Sequence, residues 1–146
     1  RRVVRLPDDI YVIEDRVTGI CREDHDIRLY YNFAFGHLDG ENGKFDYTSQ
    51  KGRGYTMTVQ ADKKLDFEIL EGSENPIGGW ISYGYAWRKP IPQLIAKHSG
   101  KAPIHFITVL APEGTKAETA INGDAAMVTL AGGKVLTLTE NAVELH

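Results

Sequence analysis

Apolar residues recur at every second position through much of this chain. Leu29, Tyr31, Phe33 and Phe35 alternate with Arg28, Tyr30, Asn32 and Ala34. Tyr55, Met57 and Val59 alternate with Thr56, Thr58 and Gln60, and Leu65, Phe67 and Ile69 alternate with Asp66 and Glu68. Because successive side chains of a strand leave on opposite faces, each stretch has one apolar and one polar face. Strands of this kind suit antiparallel sheets with one wet side. No stretch of ten residues carries a helical period.

Turn signals punctuate the strands at short intervals: Pro7-Asp8-Asp9, Asp39-Gly40-Glu41-Asn42-Gly43, Lys51-Gly52-Arg53-Gly54, Ala61-Asp62-Lys63-Lys64, Asn122-Gly123-Asp124 and Gly132-Gly133. About a dozen short strands joined this way predict an all-β fold, an antiparallel two-sheet β-sandwich. A length of 146 residues suffices for one domain with a proper core, and no break in composition divides residues 1–146. The nearly unbroken apolar run from Ile104 to Leu110 predicts a central strand covered on both faces. Pro90 and Pro92 cannot donate to a ladder, which predicts that their strand lies at an edge or beside a bulge.

Charge and cysteine usage exclude several function classes. The net charge of −3 provides no global basic field, so nucleic acid is not an expected partner. Cys21 is the only cysteine, so an internal disulfide and a cysteine-rich metal site are both excluded. No run approaches the length of an apolar membrane helix. Glu23-Asp24-His25-Asp26 is the densest group of potential metal ligands, but alternation sends neighbours to opposite faces, and a polar hairpin is the expectation. Asp39-Gly40-Glu41-Asn42-Gly43 departs from a calcium loop at its fifth and sixth positions and is expected to be a turn. No metal and no cofactor are expected.

Three further segments carry a resemblance. Gly78-Gly79-Trp80-Ile81-Ser82-Tyr83-Gly84-Tyr85 contains a Trp-x-Ser-x-x-Tyr signature, followed by Lys89-Pro90-Ile91-Pro92-Gln93-Leu94-Ile95 and by Ile104-His105-Phe106-Ile107-Thr108-Val109-Leu110-Ala111-Pro112. Upstream stand Arg1-Arg2-Val3-Val4, Tyr11-Val12-Ile13-Glu14-Asp15-Arg16-Val17 and His25-Asp26-Ile27-Arg28-Leu29-Tyr30. In order and spacing these resemble the C-terminal β-sandwich of heparinase II/III-like polysaccharide lyases, over roughly residues 1 to 114. The resemblance implies a piece of a longer enzyme that cleaves uronic-acid polysaccharides such as heparin, heparan sulfate or alginate by β-elimination. It also implies a periplasmic or secreted parent. The absence of an initial methionine, with Arg1 already inside a strand, agrees with a fragment.

β-Elimination requires a group to neutralise the carboxylate, a base for the C5 proton and an acid for the departing O4. The resemblance places the tyrosine, histidine and asparagine that do this, and the metal-binding residues, upstream of Arg1. No catalytic residue is therefore carried over, and the partners implied are the upstream catalytic domains and, through them, an acidic polysaccharide. Trp80 is expected to pack, in the core or against another domain. Trp87, beside Arg88 and Lys89, is the better candidate for an exposed aromatic, and Trp87 with Arg88 is the candidate substrate-binding pair. Three readings stay open: a structural part that braces a lyase, a non-catalytic carbohydrate-binding module, or a sandwich of another role.

Overall fold

A computed structural model describes residues 1–19 and 22–146; Cys21 lies outside the described residues. These fold as seventeen strands with no helix. The all-β antiparallel sandwich expected from the alternation is the fold observed, divided more finely than the dozen strands anticipated. Among the described residues, no helix is long and apolar enough to cross a membrane.

The central sheet has six antiparallel strands. Its order is β1 (Arg2–Leu6), β2 (Ile10–Val17), β13 (Ile104–Pro112), β6 (Gly54–Ala61), β5 (Lys44–Ser49) and β4 (Gly36–Glu41). β13 runs between β2 and β6, and Ile104 to Val109 are all buried. The expectation of a doubly covered strand there holds. One face of this sheet meets a three-stranded sheet in which β12 (Pro92–Gly100) lies between β3 (His25–Asn32) and β7 (Asp66–Glu71). Tyr31, Leu94 and Ala96 from that layer pack with Phe45, Tyr47, Met57 and Val59 of the central sheet.

The other face is covered by the tail. β14 (Ala117–Asn122), β15 (Ala125–Leu130), β16 (Val135–Leu138) and β17 (Val143–Leu145) form a four-stranded sheet. Its Ala126, Val128, Leu136 and Leu138 pack with Ile10, Val12, Ile107 and Val109. The two facing sheets predicted from sequence thus gain a third layer. Each fully buried aliphatic side chain contributes about 1.5–3 kcal/mol relative to exposure. A one-residue slip of β2 would exchange Val12 for its neighbours on both faces, so these contacts fix the register.

Turn chemistry matches the hairpins. Asn42 and Gly43 link β4 to β5 with φ of 54° and 82°, the left-handed pair of a two-residue hairpin turn. A side chain at Gly43 would place Cβ 2.5 Å from the Val59 carbonyl oxygen, so glycine is required for space as well as for φ.

Two expectations are corrected. The segment Lys89–Ile95 is not one strand. Pro90 ends β11 (Trp87–Pro90), which pairs only with β10 (Trp80–Gly84) in a hairpin whose register shifts between Ile81 and Gly84. Pro92 instead opens β12, the middle strand of its sheet. At a strand's first residue a missing N–H is tolerated, and the Pro92 carbonyl still accepts from Phe33 N at 2.9 Å. Glu23–Asp26 is not a hairpin either. It lies on the passage from β2 to β3, which pair with β13 and β12 rather than with each other.

Candidate functional site

The hairpin β10–β11 stands apart from the three layers, hydrogen-bonded as its own two-stranded sheet. Its base is anchored through Gly79, whose carbonyl accepts from Gly72 N at 2.9 Å and Ile91 N at 2.8 Å. Gly79 has φ of +71°, and an added Cβ would lie 2.6 Å from the Leu70 oxygen. Only glycine lets the chain leave the sheet so close to β7. At the far end, the Ser82 hydroxyl reaches Gly84 O at 2.9 Å and Trp87 O at 2.7 Å, holding the turn at Tyr85-Ala86.

Alternation divides this hairpin into two faces. On one, the Arg88 guanidinium lies 4.1 Å from the Trp80 ring centroid and pairs with Glu74 at 2.6 Å; Glu74 belongs to β8 (Ser73–Glu74), which pairs with β9 (Ile77–Gly78). Trp80 is half-buried and donates from Nε1 to Ser73 O at 2.9 Å. It packs at the hairpin base, outside both apolar clusters. On the opposite face, the Tyr83 and Trp87 rings sit 5.4 Å apart at an interplanar angle of 32°, and Lys89 Nζ is 5.5 Å from the Trp87 centroid. Tyr83 is 73% exposed, Trp87 37%, and Tyr85 at the tip is fully exposed.

Trp87 and Arg88, paired in the sequence reading, therefore point to opposite sides. Arg88 is engaged by Trp80 and Glu74, and the cation that shares the Trp87 face is Lys89. The signal for Lys89 was available, since residues two apart on a strand share a face.

A second polar constellation is buried. Glu14 of β2 and His105 of β13 lie beneath the tail sheet, with His105 Nε2 donating to Glu14 Oε1 at 2.8 Å. A carboxylate only accepts, so Nε2 carries the proton. Arg16 donates to the same oxygen at 2.9 Å and to Asp124 O at 2.6 Å, while Arg2 donates to Glu14 Oε2 and to Thr139 O. Burial raises the Glu14 pKa, but the hydrogen bonds from Arg2, Arg16 and His105 outweigh it and hold the group below its ordinary value. His105 Nδ1 has no partner among the described residues. On the other face of β2, Arg1 holds Asp15 in a two-pronged pair, Nε to Oδ1 at 2.7 Å and Nη2 to Oδ2 at 3.0 Å. Arg1 and Arg2 thus each neutralise one of two consecutive acids, a structural use that sequence reasoning missed.

Among the described residues, no tyrosine hydroxyl is hydrogen-bonded to a histidine ring. His25 and Tyr30 are five residues apart along β3, roughly 17 Å in an extended strand. Tyr31 faces inward and shares a 2.8 Å hydrogen bond with the Thr108 hydroxyl, and burial raises its pKa. Among the described residues, no group of three or more histidine, cysteine or acidic side chains could hold a metal ion.

No protein-family model matches the chain, and no curated protein matches it. A solved structure does: the heparan sulfate lyase HepC, as a mutant, from Pedobacter heparinus, with a TM-score of 0.65 at 14% identity. The match covers 94% of this chain and 23% of that one. The chain has the fold of part of a heparan sulfate lyase. It spans about a quarter of that protein's length, and the likeness extends past residue 114 into the tail sheet.

Proposed function

We propose that this chain is the non-catalytic β-sandwich portion of a polysaccharide lyase that cleaves uronic-acid polysaccharides, heparan sulfate among them, by β-elimination. The observation that carries the reading is the shared fold: nearly the whole chain corresponds to less than a quarter of a heparan sulfate lyase. Its role on this reading is to brace the catalytic part of the same polypeptide. The chemistry present agrees with such a role. Elimination needs an acid, a base and a carboxylate-neutralising group around one sugar. Here His105 is committed to Glu14 and Tyr31 to Thr108, both within the core. The parent enzyme then works in the periplasm or outside the cell, where polymeric glycans are met.

The coding sequence immediately upstream of Arg1 tests the proposal. A helical region carrying histidine- and tyrosine-bearing lyase motifs is expected. An unrelated domain, or a signal peptide directly abutting Arg1, would contradict it and leave a free-standing sandwich.

A further inference from the structure

We infer that the face of the β10–β11 hairpin bearing Tyr83, Trp87 and Lys89 binds an acidic pyranose chain. Three large aromatic residues, Tyr83, Tyr85 and Trp87, are exposed within five positions. Exposed apolar surface gathered in one place generally serves recognition. The rings are held in advance of any ligand. Ser82 pins the turn, Gly79 anchors the base, and Arg88 clamps the reverse face against Trp80 and Glu74. Such pre-organisation lowers the ordering cost of binding.

The chemistry of the face selects the ligand class. Tyr83 and Trp87 offer flat π surfaces that suit the C–H face of a pyranose. The tyrosines carry hydroxyls that can hydrogen-bond a polar ligand beside the ring faces. Lys89 adds a positive charge beside the Trp87 ring and forms no ion pair among the described residues. Glu74 is held on the reverse face by Arg88. A sugar stacked on the rings and carrying a carboxylate satisfies both features; a neutral sugar satisfies only one. The site concerns this hairpin face alone, so its failure would leave the bracing role untouched.

Isothermal titration calorimetry of the whole chain with hexagalacturonate and with maltohexaose tests the inference. The acidic hexamer should bind about tenfold more tightly than the neutral one, a difference of one opposite-charge contact in a partly desolvated site. Lys89→Gln should weaken hexagalacturonate binding roughly fivefold, whereas Lys101→Gln, the same charge loss on a distant exposed turn, should change it less than about twofold. Tyr83→Ala should remove most of the binding with an unchanged circular dichroism spectrum, because its ring is mostly exposed. Equal affinity for the two hexamers, equal effects of the two lysine substitutions, or full binding by Tyr83→Ala would each overturn it. So would no heat with either hexamer, including a case in which the chain self-associates through this face and Tyr83→Ala abolishes the association.

Discussion

Glu14 on β2 and His105 on β13 are joined by a 2.8 Å hydrogen bond, although they stand 91 positions apart in the chain. The carboxylate also receives Arg2 and Arg16, and those guanidiniums continue to the backbone carbonyls of Thr139 and Asp124 in the loops of the tail sheet. One buried acid therefore ties the first strand, the central strand and the third layer together.

Glu14→Gln keeps the shape and removes the charge that the two guanidiniums and the imidazole N–H converge on. Removing one member of a buried ionic group is costly because its partners stay desolvated. The variant should lose about 3 kcal/mol of stability, read as a lower urea midpoint with an unchanged slope. A loss below about 0.5 kcal/mol, the range of ordinary surface substitutions, would show that the network contributes little.

The same acid sets a pH dependence. The folded-state pKa of Glu14 lies below its ordinary value, so the unfolded chain takes up the proton first as pH falls. The stabilisation is fully present above about pH 4.3, the ordinary glutamate value, and is lost as pH drops through the lower folded value. Melting temperatures measured from pH 6 to pH 3 should fall, and Glu14→Gln should flatten that fall. Parallel curves for the two proteins would assign the acid sensitivity elsewhere.

Tyr31 and Thr108 share a hydrogen bond in the opposite core, between β3 and β13. Tyr31→Phe leaves the fully buried Thr108 hydroxyl without that partner and should cost about 1–2 kcal/mol. Thr108→Val should cost a comparable amount. The double variant should be milder than the sum by about 1 kcal/mol, since both polar groups are then gone. Additivity within about 0.3 kcal/mol would mean that the pair is not coupled.

Trp80→Ala removes a half-buried ring that carries Arg88 on its face and a hydrogen bond to Ser73. The expected loss is about 2 kcal/mol, below the 3–5 kcal/mol of a fully buried aromatic. Calorimetric melting distinguishes the two magnitudes.

Local pattern announced most of the scaffold. Ile27, Leu29, Tyr31 and Phe33 turn inward while Arg28, Tyr30 and Asn32 face water, and Asn42-Gly43 forms the hairpin its composition demands. Features that depend on distant pairing were not readable in this way. Nothing local to Glu14 names His105, and Arg1-Arg2 reads as surface charge until β1 pairs with β2. The tail alternates like any strand sequence, yet alternation does not say which sheet its apolar face will meet, so the third layer came only with the structure. In the hairpin, nearness in sequence suggested Arg88 as the companion of Trp87, whereas the two-residue period selects Lys89.

We propose that residues 1–146 brace a uronate-cleaving lyase without performing the chemistry. The most direct measurement follows ultraviolet absorbance of the unsaturated uronate product during incubation with heparan sulfate, for this chain alone and for the full product of its gene. Sustained product is expected from the full polypeptide and none from the chain alone. Turnover by the pure chain, or none by the full polypeptide on heparan sulfate, heparin or alginate, would contradict it.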